Sequence, residues 1–325
     1  MISTKEVPPR FLKSAMLVGC IPLTALRNDN RISYTLYIPP NYYNPDPNRR
    51  ISNDSANLDS KYLLPPLPLI VNVHGTGRDV ERCRDQLIDF ANSERIAVLA
   101  PLFPAGLDGY MDLDNYKLLK SKTLRSDLAL IQILDEVAAK WAGIQTQKFF
   151  LIGYSGGGQF VHRFAYLYPE RLYALSIGAP GRVTLLDKSL EWPNGIENVG
   201  NIFGEDLIVE NSKFEEIRGI QLVVGSEDNF IPGGNEFWTW VANQKELKRG
   251  VESGDAQPRK SEDVELSPPK KGRLDTLKAL QQAWLADNIY SRLDIVPGVA
   301  HDALGVSAKV EEFLSPLVRR TGNIV

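Results

Sequence analysis

The chain has 325 residues, of which 43% are hydrophobic and 24% are charged, and its net charge is −3 at pH 7. These proportions exclude a mostly disordered chain, and the small negative charge excludes a global basic field for nucleic acid or an anionic membrane. The two cysteines, Cys20 and Cys83, exclude a disulfide scaffold and a four-thiolate zinc site, and we expect two reduced thiols.

No apolar run reaches the roughly 18–20 residues that a membrane span requires. The nearest run, 11–26, is interrupted by Lys13, Gly19 and Pro22. It lacks a convincing signal-peptide cleavage site, so we interpret it as an ordered N-terminal strand region. The sequence therefore predicts a cytoplasmic protein with no membrane span, and a secreted protein is the weaker alternative.

Short β-rich runs alternate with amphipathic segments, which predicts an α/β fold with a mostly parallel sheet and helices on both faces. In chain order the pattern predicts a strand at 31–38, a strand at 67–73, a helix at 80–91, a strand at 96–100, a helix at 124–141, a strand at 148–152, a helix at 157–168, strands at 172–177 and 221–225, a helix at 277–289, a strand at 292–296 and a helix at 306–318. We expect a single domain over residues 1–325.

Two stretches interrupt this alternation. Residues 181–219 contain several glycines and the turn sequence at 192–195, and we expect them to form a small cap over the sheet. Residues 245–275 contain 15 charged residues among 31, eight basic and seven acidic. Such a stretch cannot bury enough apolar surface to offset the entropy lost on ordering, so it is predicted to be a disordered surface insertion.

A nucleophile motif follows the predicted strand at 148–152. Gly153-Tyr154-Ser155-Gly156-Gly157 is a G-x-S-x-G pentapeptide between a strand and a helix. The tight turn of a nucleophile elbow requires small residues two positions before and after the serine, and glycine occupies both. The pattern predicts Ser155 as a nucleophile raised above the edge of the sheet.

A nucleophilic serine needs a base, and the chain contains three histidines. His162 lies two turns beyond Ser155 on the same predicted helix, so it is badly placed to reach the hydroxyl and is expected to pack or hydrogen bond. His74 ends a central strand and leads into a glycine-rich turn. His301 lies in a loop after the strand at 292–296, from which an imidazole can reach back over the serine. By elimination and by position, His301 is the predicted base.

The imidazole in turn needs a carboxylate to fix its tautomer and stabilise the imidazolium. Asp228 follows the strand at 221–225, at the carboxyl edge where parallel sheets gather catalytic groups. It is the predicted acid, and Glu227 and Asp302 are the alternatives. If Asp228 has no catalytic role, its side chain is expected to cap the loop.

Attack by a serine also needs hydrogen-bond donors for the oxyanion that forms. His74-Gly75-Thr76-Gly77 follows a central strand and can supply one backbone N–H, from Thr76 or Gly77. Gly156, directly after the serine, can supply the other. An ordinary turn into the next helix is the alternative interpretation of the four-residue sequence.

The order of these parts, oxyanion loop, Ser155, Asp228 and His301, resembles the α/β-hydrolase superfamily. Within it, H-G-T-G and G-Y-S-G-G-G look like the esterase group related to polyhydroxybutyrate depolymerases and dienelactone hydrolases, a resemblance that extends from about residue 32 to residue 318. It implies an α/β-hydrolase fold, a triad of those three residues, and Thr76 and Gly156 as oxyanion donors. The charged insertion departs from the family core, and a serine in place of the cysteine typical of dienelactone hydrolases argues against a dienelactone substrate.

These residues predict a serine hydrolase that cleaves a carboxylic ester of a small organic molecule through an acyl-enzyme. An acyltransferase or thioesterase with the same triad is the alternative, because pocket access selects the deacylating nucleophile. A non-catalytic ligand-binding protein of the same fold is a further alternative.

Four aromatic residues are candidates for contacts with the substrate: Tyr154, Phe230, Trp192 and Trp238. Core packing is the competing interpretation for the aromatic residues outside the serine motif. No H-E-x-x-H motif, Walker loop or dinucleotide fingerprint occurs, so no metal or cofactor is expected. A small-molecule ester is the expected partner, no nucleic acid is expected, and the oligomeric state is left open.

Overall fold

A central sheet of eight strands organises the chain in the computed structural model, which describes residues 2–49, 59–109, 112–231, 234, 236, 239–240 and 271–321. The strands are β1 (Gly19–Ala25), β2 (Ser33–Ile38), β3 (Leu69–Val73), β4 (Ala97–Leu102), β5 (Phe149–Tyr154), β6 (Leu172–Gly178), β7 (Gly219–Gly225) and β8 (Arg292–Val296). Their order across the sheet is β1-β2-β4-β3-β5-β6-β7-β8.

The sheet is mostly parallel, which confirms the predicted fold class. β1 pairs antiparallel with β2, and β2 pairs antiparallel with β4. All pairings from β4 to β8 are parallel. Every residue of β3 is buried, as four apolar residues in its five predict for a strand covered on both faces.

Helices cover both faces of the sheet. They are α1 (Val80–Asp85), α2 (Ile88–Glu94), α3 (Ser126–Lys140), α4 (Gly156–Leu167), α5 (Val199–Phe203), α6 (Asn211–Glu215), α7 (Arg273–Ala286) and α8 (Ala303–Thr321). Two separate hydrophobic clusters result. Side chains of α3, α4 and α7 pack with one face of the sheet, and side chains of α2 and α8 pack with the other. No helix in these described ranges is long and apolar enough to cross a membrane.

The strand register brings several chain segments to one edge of the sheet. Val73, at the end of β3, is opposite Gly153 of β5, and Gly225, at the end of β7, is opposite Val296 of β8. The segments that follow β3, β5, β7 and β8 therefore leave the same edge of the sheet, with β6 between β5 and β7. Each of them carries at least one of the predicted site residues.

The stretch at 181–219, expected as a cap, contains the two short helices α5 and α6. Two helices differ from the sequence expectations. The helix expected at 80–91 is two helices, α1 and α2, and helix α7 begins at Arg273 and not near residue 277. The prediction of disorder is therefore wrong for 273–275, the last three residues of the charged stretch. Residues 245–270 of that stretch lie outside the described residues.

Candidate active site

The serine of the G-x-S-x-G motif lies in a strained turn at the end of β5. Ser155 directly follows the last residue of β5 and precedes Gly156, the first residue of α4. Its backbone has φ 58° and ψ −114°, a conformation that costs a non-glycine residue about 1–3 kcal/mol. A 2.7 Å hydrogen bond from the Ser155 N–H to the carbonyl oxygen of Gly178 on β6 holds the turn. This is the strand–turn–helix geometry in which a nucleophile elbow presents its side chain.

Glycines allow the close packing around this turn. A Cβ on Gly153 would lie 2.6 Å from the carbonyl carbon of Gly157. A Cβ on Gly157 would overlap the carbonyl oxygen of Val73, and one on Gly158 would lie 2.5 Å from that of Gly178. Helix α4 therefore starts directly against the ends of β3 and β6, and this contact fixes the position of the serine.

The turn after β3 lies beside the serine. A Cβ on Gly75 would be 3.7 Å from Ser155 Cβ, and a Cβ on Gly156 would be 3.1 Å from the backbone nitrogen of Thr76. Within the described part of the chain, the N–H groups of Thr76 and Gly77 donate no hydrogen bond. The N–H of Gly156, at the start of α4, has no intrahelical acceptor. Backbone donors without a protein acceptor therefore border the serine.

Tyr116 and Lys117 complete this side of the site, and sequence reasoning did not select Lys117. A Cβ on Gly156 would overlap Tyr116 Oη and lie 2.9 Å from Lys117 Cε. Tyr116 Oη donates to the carbonyl oxygen of His74 at 2.9 Å, and Lys117 forms an ion pair with Asp114. Burial lowers the pKa of Lys117, although the Asp114 carboxylate opposes that shift.

A buried carboxylate and an imidazole meet at the same edge of the sheet. Asp228 and His301 follow the paired ends of β7 and β8, and His301 Nδ1 lies 2.6 Å from Asp228 Oδ2. The Asp228 side chain is 1% exposed and the His301 side chain is 33% exposed. The carboxylate therefore fixes one ring nitrogen and leaves Nε2 for proton transfer.

Tyr154 connects this pair to the serine turn. Its ring packs against the His301 imidazole with centroids 5.0 Å apart, and its hydroxyl donates to Asp228 Oδ2 at 3.3 Å. Since Tyr154 immediately precedes Ser155, the pair lies next to the turn. Among the hydrogen bonds of the described residues, none joins Ser155 Oγ to His301. Such a bond commonly tightens only when substrate is bound.

Arg273 contacts the second oxygen of the carboxylate. Arg273 Nη1 donates to Asp228 Oδ1 at 3.0 Å. Burial alone would raise the pKa of Asp228, but the hydrogen bond and charge of His301, together with the charge of Arg273, outweigh it and hold this pKa below its ordinary value. The carboxylate is therefore ionised at neutral pH. Arg273 was missed because it lies in the charged stretch that was expected to be disordered.

The other two histidines are committed to the backbone. His74 Nδ1 bonds the carbonyl oxygen of Gly75 at 2.8 Å, while its Nε2 accepts from the N–H of Phe103 at 3.0 Å. His162 Nδ1 bonds the carbonyl oxygen of Gly158 at 2.9 Å, and its Nε2 accepts from the N–H of Thr184 at 2.9 Å. Both rings are buried, so neither offers a free nitrogen to the serine.

The alternative acids have other surroundings. Asp302 accepts from the N–H groups of Leu304 and Gly305 at 3.0 and 3.2 Å, so its carboxylate caps the start of α8. Glu227 is exposed to solvent. The carboxylate that contacts the imidazole is that of Asp228.

The four aromatic candidates for substrate contacts lie in different environments. Tyr154 lies against the acid and the imidazole, as described above. Phe230, two residues beyond Asp228, is 73% exposed. Trp192 is buried, donates from Nε1 to the carbonyl oxygen of Leu118 at 3.0 Å, and packs edge-to-face on Phe203, which corresponds to the core-packing alternative. Trp238 lies outside the described residues.

Three solved structures with a similar architecture are named as a depolymerase, a hydrolase and an esterase. A poly(3-hydroxybutyrate) depolymerase from Bordetella parapertussis superposes with a TM-score of 0.60 at 17% identity, covering 94% of each chain. A poly(aspartic acid) hydrolase from Sphingomonas sp. KT-1 superposes with a TM-score of 0.54 at 17% identity. The match covers 86% of this chain and 92% of the hydrolase chain. A ferulic acid esterase of the anaerobic fungus Anaeromyces mucronatus superposes with a TM-score of 0.51 at 13% identity. The match covers 89% of this chain and 85% of the esterase chain.

No protein-family model matches the chain, and no curated protein matches it significantly. The structural similarity therefore identifies the fold: the chain has the α/β-hydrolase fold, an eight-stranded, mostly parallel sheet covered by helices.

Proposed function

We propose that the protein is a serine hydrolase that cleaves a carboxylic ester through an acyl-enzyme intermediate. The observation that carries this proposal is the buried Asp228–His301 pair, which lies against Tyr154, the residue before a serine in a strained strand-to-helix turn. Strained backbone persists where the surrounding structure enforces it, and functional sites are where it concentrates.

The reaction follows from these positions. His301 Nε2 takes the proton of the Ser155 hydroxyl while Oγ attacks the ester carbonyl carbon, and the carbonyl π electrons move to oxygen. Asp228 holds the Nδ1–H and stabilises the imidazolium. When the tetrahedral intermediate collapses, the ester C–O bond breaks and the alcohol leaves with the proton from His301. Water, deprotonated by the same imidazole, then cleaves the acyl-serine bond and releases the acid.

The negative charge on the former carbonyl oxygen needs preorganised donors. The N–H groups of Gly156 and of Thr76 or Gly77 supply them in this proposal, because they border Ser155 and have no protein acceptor in the described structure. One such donor is typically worth about 2.7–4 kcal/mol of barrier.

The names of the structural neighbours support hydrolysis as the reaction class. One is named as a depolymerase of poly(3-hydroxybutyrate) and another as a ferulic acid esterase. We propose a small organic ester as the substrate, with the exposed ring of Phe230 beside the acid as one contact for its apolar part.

Fluorophosphonate labelling tests the nucleophile. The wild type is expected to be labelled covalently, and Ser155→Ala is expected to lose labelling and ester hydrolysis, because no other hydroxyl sits in the activated position. Labelling is followed by intact-protein mass spectrometry, hydrolysis with p-nitrophenyl esters of increasing acyl length, and folding by circular dichroism.

Ser93→Ala serves as the matched control. The Ser93 hydroxyl bonds the carbonyl oxygen of Phe90 within α2, on a helix that does not contribute to the site. This variant should be labelled like the wild type. A folded Ser155→Ala protein that still takes up one phosphonyl group would refute the assignment of the nucleophile.

A further inference from the structure

The carboxylate of Asp228 is bonded from two directions, and only one of them belongs to the proposed triad. Oδ2 receives His301 Nδ1 at 2.6 Å and the Tyr154 hydroxyl at 3.3 Å. Oδ1 receives Arg273 Nη1 at 3.0 Å. With side-chain exposures of 1% for Asp228 and 14% for Arg273, this ion pair is largely shielded from water. A shielded pair is weakly screened, so its two charges affect each other strongly.

The start of α7 fixes the guanidinium in this position. Gly272, the N-cap, has no side chain that could cap the helix, and the loop after β7 supplies the acceptors in its place. The Asp228 carbonyl oxygen accepts from Leu274 N–H at 3.1 Å, and Asn229 Oδ1 accepts from Asp275 N–H at 3.3 Å. Asn229 Nδ2 donates back to Asp275 Oδ2 at 3.1 Å. The loop that carries Asp228 is therefore held to the first turn of α7 by these bonds as well as by the ion pair with Arg273.

A Cβ on Gly272 would overlap the backbone oxygen of Asn229. The loop and the helix are thus in direct contact, with no room for a side chain between them. The backbone of Arg273 can therefore move away from Asp228 only if the first turn of α7 separates from this loop.

We propose that Arg273 is a positioning residue that keeps Asp228 ionised and oriented toward His301. The inference rests on the proposed serine hydrolase mechanism. The guanidinium never touches substrate in this role and acts through the carboxylate it holds.

The charges around Asp228 determine the sign of the expected effect. The titratable and charged groups that surround it come from each packed element: Tyr154 at the end of β5, Glu227 in its own loop, Arg273 and Asp275 at the start of α7, and His301 and Asp302 after β8. Removing the guanidinium takes away a positive charge that lies 3.0 Å from the carboxylate. The buried carboxylate then takes up a proton at higher pH, and a protonated acid no longer holds the imidazole for catalysis.

Arg273→Gln tests the proposal, because glutamine retains a hydrogen-bond donor but carries no charge. The pH profile of kcat/KM for a p-nitrophenyl ester is expected to keep its shape, while its acid limb moves upward by about one pH unit. At a given pH on the acid limb this shift corresponds to about a tenfold loss, which should fall in kcat with KM unchanged because the carboxylate acts in the transition state. Well above the limb the variant should match the wild type. Arg273→Lys keeps a charge without the planar fork, so its acid limb should lie between those of the wild type and the glutamine variant.

Arg319→Gln is the matched control, because Arg319 also pairs with a carboxylate, Glu94 at 2.7 Å, but on the exposed surface of α8. Its profile should coincide with that of the wild type. Thermal unfolding of every variant separates lost activity from lost folding. If Arg273→Gln does not fold, the position of the acid limb in the Arg273→Lys variant tests the proposal.

Two results are distinguishable. If the wild type is not labelled by fluorophosphonate at Ser155, the proposed function fails. If labelling occurs and both Arg273 variants keep the wild-type acid limb and kcat, the function stands and the role of Arg273 is refuted. A lower melting temperature with an unmoved acid limb also refutes it, since that is what a purely structural arginine would produce.

Discussion

At the scale of single residues, the site depends on side chains whose protonation state is fixed by their partners. His74 and His162 each donate from Nδ1 to a carbonyl oxygen and accept a backbone N–H at Nε2. An imidazolium has no acceptor nitrogen, so protonating either ring would set two donors against each other. Burial lowers the pKa of His74 to about 4 and that of His162 well below its ordinary value.

This arrangement predicts that acid destabilises the protein before its carboxylates titrate. In the unfolded chain both histidines take up a proton near pH 6.5, whereas His74 in the folded protein remains neutral down to about pH 4. Stability conferred by the neutral rings is therefore complete above about pH 6.5 and is lost as the pH falls toward 4. Between pH 7 and pH 5, His74 alone should lower the free energy of unfolding by about 2 kcal/mol.

Denaturant unfolding at pH 7 and pH 5 measures this loss, and His162→Gln isolates one contribution. Glutamine does not titrate, so the variant should lose less stability over the same interval, whatever its stability at pH 7. An equal free energy of unfolding of the wild type at pH 7 and at pH 5 would contradict the prediction.

Single residues also show how far sequence reasoning extends. The positions of Ser155, Asp228 and His301 at one edge of the sheet were predictable, because each lies in a segment after a recognisable strand and the carboxyl ends of parallel strands share an edge. The contact of Arg273 was not predictable. Its partner lies 45 positions away, and no pattern in the sequence around Arg273 indicates that contact.

At the scale of secondary-structure elements, the contact of α4 with the sheet sets the position of the serine. Three consecutive glycines, 156–158, begin the helix, although glycine is a poor helix former and each costs about 1 kcal/mol relative to alanine. The close approach of backbones explains them, since a Cβ on Gly157 would overlap the carbonyl oxygen of Val73 on β3.

We therefore predict opposite outcomes for two glycine substitutions. Gly157→Ala should destabilise the protein by about 1–3 kcal/mol, because the backbones of α4 and β3 must separate, and ester hydrolysis should fall with the displaced serine. Gly200→Ala in α5 is the control, because a Cβ there meets no atom nearer than 3.9 Å. It should be neutral or stabilising by up to about 1 kcal/mol. Similar melting temperatures for the two variants would show that the contact tolerates a methyl group.

The starts and ends of elements were the least predictable part of the fold. Helix α7 starts at Arg273 because the loop after β7 accepts its first N–H groups, a tertiary cap that the local sequence Lys271-Gly272-Arg273 does not announce. The strands, by contrast, were placed to within a few residues, since burial on both faces leaves a continuous apolar run in the sequence.

At the scale of the whole molecule, the last residues of the charged stretch contact the loop after β7. Asn229, in that loop, and Asp275, at the end of the stretch, are hydrogen bonded to each other. This predicts a sharp difference between two deletions. Replacing 245–270 with a short glycine–serine linker should leave ester hydrolysis within about threefold of the wild type, because shortening a closed loop changes its closure entropy only slightly. Replacing 245–275 also removes Arg273 and the first turn of α7, and should abolish activity.

Initial rates with a p-nitrophenyl ester, normalised to folded protein, distinguish the two deletions. Equal losses in both would mean that the removed segment itself supports the site. Equal retention in both would mean that the start of α7 is dispensable.

The junction between Asn229 and Asp275 also makes this position suited to protein engineering. A guest domain whose own termini lie close together could be spliced between residues 245 and 270, because the host backbone is already fastened on either side of the splice. This junction lies next to the Asp228 carboxylate that contacts the imidazole. If the proposed hydrolysis holds, a ligand-responsive guest that strains the junction would change the rate, and the protein would serve as the reporter half of a biosensor.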